Sequence, residues 1–346
     1  MSSPSTDRRT WKMSGNAGAF GSKIIRSREA SIFALLAVLT IYVGLQAPGF
    51  VSVANMRSIS LAVAIVLVVA VGESVVILGR NFDLSVGSTV GLSAMTAGLM
   101  FKNFAGLSIV LGFLIAIAVG VVVGFVNGLL ITYLRVPSIV LTLGMLYALR
   151  GLIYVVAGGN QVNPYNVPPA FDSLSITSPI GIPMVVIIAF AFAGLVGAGL
   201  RWSRPGRSLY ALGSNPEAAG LRGLPARRFV IATFVLSGAA AGLGGAIYLS
   251  QYGLVQVNAA TGLELQAVTA AIVGGVSIFG GAGTILGTTV SCVLLGAIAN
   301  GIAVLGYSSF LQDTVYGAML VLAVVTSSVS YRVQDSRALI RPELKL

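Results

Sequence analysis

The sequence predicts an all-α integral membrane protein of about ten transmembrane helices. Three observations carry that expectation. The 346 residues are 56% apolar and only 9% charged, with a mean hydropathy of +0.94, which leaves too little polar surface to cover a soluble globule of this size. Apolar runs of about 20 residues, the length that crosses a bilayer, recur along most of the chain. Finally, 16 of the 21 basic residues fall in three places: the first 28 residues, a loop at 201–228, and the tail after Tyr331. That pattern marks the cytoplasmic side of a membrane protein. It is not the continuous basic face that a phosphate backbone needs, so nucleic acid is not an expected partner.

Taken in order, residues 1–29 are rich in Ser and Gly and carry Arg8, Arg9, Lys12, Lys23, Arg26 and Arg28, which reads as a mobile cytoplasmic arm. An apolar run from Ala30 to Ala47 follows. A signal peptide is the alternative, but Leu45 two residues before Ala47 is a poor cleavage context, so the run reads as an uncleaved first span. Further spans are expected near 58–79, 88–101, 107–131, 138–158 and 183–200. Six crossings return the chain to the side of the arm for the basic loop at 201–228. Spans near 229–250, 265–280, 284–305 and 309–329 then bring the tail, 331–346, to that side as well. The segment 265–280 is short and interrupted by Gly274 and Gly275, and 160–182 is a proline-rich outer loop. Gly120, Gly124 and Gly128 make a smooth stripe for close helix packing, as do Gly238 and Gly242.

The loop holds one short helix. In NPEAAGLRG, Asn215 (or Ser214) is the N-cap, Pro216 takes the first helical position, Glu217 lies in the first turn, Arg222 in the last, and Gly223 is the stop. About two turns cannot hold together alone in water, so the helix is expected to dock into something outside the membrane.

A weak internal echo links the two halves. Asp83-Leu84 and Glu264-Leu265 each open a small-residue helix, and Asn127-Gly128 and Asn300-Gly301 follow in the next span of each. The predicted topology puts Asp83 on the inner side and Glu264 on the outer, which makes the halves inverted repeats. Chance similarity in apolar sequence is the alternative.

Missing chemistry narrows the function. The chain has no His, which excludes Ser-His-Asp and Cys-His catalysis and His-based metal sites. No Gly-Lys-Ser/Thr occurs, so there is no P-loop, and the glycines of GGAGTILG (280–287) lack a βαβ context. The lone Cys292 allows no intrachain disulfide. No catalytic or metal-binding residue is assigned. Two ionisable groups stand inside expected spans, Glu73 and Arg150, roughly 10 and 18 Å from the inner end. An interhelical pair between them near the translocation path, with Asn127 as a further polar candidate, is set against snorkelling or separate partners. Asp83, with Ser85 and Gly87, is read as a span-start motif in which the carboxylate caps free amides.

The residues EAAGLRG (217–223), with Ala218 and Ala219 at their centre, resemble the cytoplasmic loop of permease subunits of bacterial ABC importers. FDLSVGS (82–88), VPSIVLTLGMLYALRGLIYVVAGG (136–159), GRSLYALGSNPEAAGLRG (206–223) and AAIVGGVSIFGGAGTILGT (270–288) look like the ribose/xylose-type monosaccharide permeases, with branched-chain amino-acid permeases as distant relatives. The likeness runs from about residue 30 to 330. One departure is Gly79-Arg80-Asn81-Phe82, where relatives carry a Gly-Gly-Ile-like turn, and it leaves that turn open. The resemblance implies a permease domain over 30–330 in the bacterial inner membrane, with both termini cytoplasmic. It implies a second permease chain (the same or a paralogue), a cytoplasmic ABC ATPase that carries the ATP and Mg, and a periplasmic or lipid-anchored sugar-binding protein. The helix at Asn215–Gly223 would be the coupling helix. An ATP-independent secondary transporter or channel for a small polar solute is the alternative; a membrane scaffold is disfavoured because no sizeable soluble domain exists.

Overall fold

The computed structural model describes residues 16–104, 106–176 and 181–340, with side chains described only within 30–329. Its helices are α1 (Asn16–Gln46), α2 (Val53–Leu78), α3 (Val86–Asn103), α4 (Ile109–Leu134), α5 (Ser138–Ala157), α6 (Pro169–Ile176), α7 (Met184–Trp202), α8 (Arg204–Ser214), α9 (Pro216–Leu221), α10 (Ala226–Tyr252), α11 (Leu263–Val273), α12 (Ile285–Val304) and α13 (Phe310–Ile340). Among the described residues α2, α4, α5, α7, α10, α12 and the 310–329 part of α13 are long and apolar enough to cross a membrane. The 30–46 part of α1 and the whole of α11 are apolar but shorter. Residues 1–15 of the expected arm and 341–346 of the tail lie outside the described residues. In what is described of both, 16–29 and 331–340, the backbone continues the adjoining helix.

Side-chain hydroxyls start several helices by satisfying first-turn amides. Ser52 Oγ accepts from Asn55 N (3.3 Å), Ser108 Oγ from Leu111 N (3.2 Å), and Thr284 Oγ1 from Gly287 N (3.0 Å). The core forms around α2 and α10. Most of α2 from Val63 to Leu78 is buried, and α10 is nearly as enclosed from Ser237 to Ser250. Small residues set how closely these helices approach. A Cβ on Gly72 of α2 would stand 2.7 Å from Ala240 Cβ and 3.1 Å from Ser237 Cα of α10.

The expected glycine stripes face each other across α4 and α10. A Cβ on Gly120 would run into Gly238 O, and one on Gly124 into Phe234 O; from Gly242 it would meet Ala116 O. Backbone against backbone over three turns is the contact that small-residue stripes permit.

The helix neighbours form a regular pattern. α2 packs on α10, α11 and α12, and α10 packs on α2, α3 and α4. α3 also touches α4, α5 and α11; α11 also touches α12, α13 and α3; α4 meets α5, and α12 meets α13. Exchanging α2–α5 with α10–α13 in order leaves this set of contacts unchanged.

Two ends of the bundle are defined by contacts between distant segments. At one, Asn55 Nδ2 donates to Asn300 Oδ1 (2.8 Å), Val162 and Val255 exchange backbone bonds of 3.0 Å, and Ser250 Oγ donates to Phe171 O (2.8 Å). At the other lie the last turn of α2, the starts of α3, α5, α10 and α12, and all of α8 and α9. The helix expected over 265–280 is shorter than that, ending at Val273. Eleven residues rise only about 16 Å. From Gly274 the chain continues without helix to Thr284, and Gly281 N reaches Leu78 O (3.0 Å) at the far end of α2. Within this stretch Val276 is fully buried, and Ser277 N donates to Ala282 O (2.8 Å).

Large apolar side chains remain exposed on α4 (Val110, Leu114, Val122), α5 (Ile139, Val140, Tyr147) and α13 (Val321, Leu322, Val325). These faces suit lipid or another membrane chain.

Candidate functional site

The basic loop is more ordered than its sequence suggests. Ser203 Oγ accepts from Gly206 N (3.0 Å) and starts α8, with Pro205 inside the first turn. α8 is amphipathic, burying Leu209 and Leu212 toward the bundle. Its last residue is Ser214. Asn215 then closes α8, its N–H reaching Ala211 O (3.0 Å), and opens α9, its Oδ1 accepting from Ala218 N (3.0 Å). Pro216 takes the first position and Glu217 the first turn, as expected. Arg222 is the C-cap rather than part of the last turn.

The stop is a Schellman motif built on a left-handed glycine. Gly223 has φ +76° and donates to Gly220 O (2.9 Å), while Leu224 N donates to Ala219 O (3.1 Å). Both ends of α9 are thus closed by local chemistry. Its surface is open: Ala219 is the one buried residue of the helix, whereas Pro216, Glu217, Ala218 and Gly220 are exposed, and Leu221 is 92% exposed. The six-residue helix thus presents Leu221 and the Glu217 carboxylate to its surroundings.

What ties α9 to the bundle is not visible in the sequence. Arg80, in the turn between α2 and α3, takes a left-handed backbone (φ 64°) and donates through Nε to Gly213 O (2.6 Å) and through Nη2 to Ser214 O (3.2 Å). A guanidinium on the last carbonyls of α8 suits the negative end of that helix. From the other side Ser214 Oγ donates to Gly281 O (3.2 Å), and Tyr210 Oη donates to Gly283 O (2.8 Å). Burial pushes the Tyr210 phenol up, so it stays a donor. The α8–α9 joint is therefore gripped by the turn that opens α3 and by the turn that precedes α12. The departure at Gly79-Arg80-Asn81-Phe82 is the sequence signal for this grip, legible only once Arg80 has a partner.

The span-start motif lies deeper in the bundle. Asp83 does not sit in the first turn of α3 but two residues before its N-cap, Ser85. Its Oδ1 accepts from Ser85 N (3.1 Å) and Ser85 Oγ (2.6 Å), and its Oδ2 from Ser237 Oγ of α10 (3.2 Å). Asn127 of α4 donates to Ser85 Oγ (2.9 Å), and Asp83 N donates to Glu73 Oε1 of α2 (3.1 Å). Four helices thus meet at one buried polar knot. Glu73 and Asp83 are 0% and 2% exposed, and among the described residues Glu73 Oε2 and Asn127 Oδ1 have no hydrogen-bond partner.

The considered pairing of Glu73 with Arg150 does not occur. Glu73 is turned toward Asp83, whereas Arg150 donates through Nη1 to Ala259 O (2.5 Å) in the segment before α11. Their sequence depths are compatible, but their helices face different neighbours. Gly87 makes room for Glu264: a Cβ there would run into Glu264 Oε2 and stand 3.0 Å from Ala260 O. Among the described residues no group of three or more His, Cys, Asp or Glu could hold a metal ion.

Comparison with known proteins places this arrangement. Residues 55–324 match the family model described as branched-chain amino acid transport system / permease component. Over 310 residues, 87% of this chain and 85% of the relative, the sequence is 36% identical to the autoinducer 2 import system permease protein LsrC of Yersinia pseudotuberculosis serotype O:3 (strain YPIII). The protein of the same description from Yersinia pestis (strain Pestoides F) matches with the same identity and the same coverage. No solved structure matches the chain.

Proposed function

The chain belongs to the family of branched-chain amino acid transport system permease components, and on that premise we propose that it is the membrane subunit of an ATP-driven importer for a monosaccharide or a related small polyol or furanose. It has no ATPase site of its own; hydrolysis takes place on a separate ABC subunit. An extracytoplasmic binding protein delivers the solute. The observation that carries this reading is α9, capped at both ends, exposed on all but one residue, and gripped at its base by two turns of the bundle. A helix so held passes a partner's rigid-body motion to the spans on either side. The relatives named for autoinducer 2 import support the direction of transport.

In this reading ten helices cross the membrane: the seven long ones together with α1, α3 and α11, the last completed by the irregular, partly buried segment 274–284. The two halves, α2–α5 and α10–α13, are inverted repeats. Support comes from the unchanged neighbour set on exchange, and from the paired positions of Asp83 with Glu264 and of Asn127 with Asn300 at α3 and α11, α4 and α12. The 201–228 loop and both termini face the cytoplasm, as the basic clusters require. The exposed apolar faces of α5 and α13 offer surface to a second permease chain.

The test is uptake by proteoliposomes that hold the permease, its ATPase and a loaded binding protein. Uptake is expected to need ATP inside or outside according to orientation and to be indifferent to a proton or sodium gradient. Uptake driven by an ion gradient without ATP would replace this reading with that of a secondary transporter.

A further inference from the structure

At the end of the bundle that carries α8, a groove of about 900 Å³ opens between the last turns of α7, the start of α8 and the first turn of α12. Its wall is apolar and largely of small residues, Gly194, Gly197 and Ala198 on α7 with Phe190 above them and Leu286 of α12 opposite. Its mouth is of a different kind, formed by Arg201, Trp202, Arg207 and Tyr210. Among the described residues no acidic side chain lines it. Phe190 to Arg201 is eleven residues of one helix, roughly 16 Å, which is the reach of an acyl chain rather than of a small anion.

We infer that this groove holds an anionic phospholipid, its acyl chain along Phe190–Ala198 and its phosphate between Arg201 and Arg207. The charge is placed for it. Among the described residues the Arg201 side chain has no hydrogen bond or ion pair, and Arg207 uses Nη1 on Trp202 O (2.9 Å), which leaves its other side-chain donors free. Trp202, 72% exposed beside the arginines, is the side chain that settles at a headgroup layer. Basic residues at that level attract anionic lipid.

Other occupants fit less well. The chain's own ends carry six basic residues against two acids over 1–29 and four against two over 332–346, and would bring like charge to the mouth. Free phosphate would leave the apolar wall in water. The inference rests on reading the chain as membrane-spanning, but not on its cargo or its energy source. A lipid phosphate on Arg207 would also brace α8, and through Asn215 the helix α9 that follows it.

The test is lipid retention by the permease purified with its ATPase from nanodiscs of equal phosphatidylcholine and phosphatidylglycerol, read by native mass spectrometry and lipid extraction. Wild type is expected to retain phosphatidylglycerol preferentially. Arg201→Gln, whose side chain among the described residues holds no hydrogen bond or ion pair to lose, should cut that preference roughly fivefold, and the Arg201→Gln/Arg207→Gln double variant roughly thirtyfold, as one and two headgroup charges imply. Gly194→Leu, at a position whose added Cβ meets nothing within 4 Å, should lower retention with both arginines in place. The inference is overturned if wild type shows no preference, if the double variant keeps it whole, if inorganic phosphate displaces the lipid, or if Gly194→Leu changes the number of permease chains in the complex instead of the lipid bound. Loss of transport with the retention pattern intact would count against the importer reading alone.

Discussion

Arg80 offers a sharp test of how the α8–α9 joint is held, because two substitutions there separate its hydrogen bonds from its backbone strain. Arg80→Ala removes the Nε bond to Gly213 O (2.6 Å) and the Nη2 bond to Ser214 O (3.2 Å), yet it keeps a side chain on a left-handed backbone at φ 64°. A charged donor on a partly buried carbonyl contributes about 1.5–3 kcal/mol, and the exposed second bond only a few tenths. The expected cost is about 2 kcal/mol. Arg80→Gly loses the same bonds but relieves a left-handed strain of about 1 kcal/mol, so it should be the milder change. At about 2–4 °C per kcal/mol for a chain of this order, Arg80→Ala should lower the melting temperature by roughly 4–8 °C, and Arg80→Gly by about half as much. The assay is thermal unfolding of the purified complex in nanodiscs at one scan rate, with ATP hydrolysis and uptake measured on the same preparations. In both variants uptake per ATP should fall more than hydrolysis does, since the joint is loosened while the ATPase is untouched. A melting temperature unchanged by Arg80→Ala, or Arg80→Gly less stable than Arg80→Ala, would refute the reasoning.

Two further predictions concern the core. Gly124→Ala would drive a Cβ into Phe234 O and to 3.1 Å from Gly238 Cα, and overpacking a backbone contact should cost about 3 kcal/mol or more, whereas Gly144→Ala, a helical glycine with nothing within 4 Å, should stabilise by up to about 1 kcal/mol; a pair of melting curves that failed to diverge would show α4 and α10 not to be in backbone contact. Glu73→Gln keeps an acceptor for Asp83 N and turns the unpartnered Oε2 into an amide donor beside the Asp83 carboxylate, so it should be at least as stable as wild type and up to about 2 kcal/mol more so, while a clear loss of stability would mean that the Glu73 carboxyl has a compensating partner.

Local chemistry is legible in the sequence, and long-range contact is not. The caps of α9 can be read because Asn215, Pro216 and Gly223 act on neighbours within four residues. The stripes of α4 and α10 can be read as close-packing surfaces because a glycine every fourth residue has few other uses in an apolar helix, but that they face each other cannot. α8 escapes a sequence reading although Ser203 and Pro205 form a helix-start signal, because the Pro and Gly at 205 and 206 also read as loop. The end of α11 at Val273 is signalled by Gly274 and Gly275, but the apolar residues that follow override the signal, and their burial here is in irregular chain. Arg80 and its partners are more than 130 residues apart, and no periodicity reveals such a contact. The partners of Glu73 and Arg150 stay hidden for the same reason: depth along a helix is a sequence property, but which helix stands beside it is not.

The most direct test of the central claim, that the Asn215–Gly223 segment transmits the ATPase's work, measures ATP hydrolysis and uptake together in the assembled importer carrying Glu217→Lys or Gly223→Pro. Lysine reverses the charge at the start of α9, and proline cannot take the φ of +76° on which the Schellman stop depends. Glu217 is exposed and a Cβ at Gly223 meets nothing within 4 Å, so both chains should insert and pair normally. The account predicts that hydrolysis no longer responds to the loaded binding protein and that uptake falls at least tenfold, or about 1.4 kcal/mol in coupling. Normal uptake by either variant at normal assembly would contradict it.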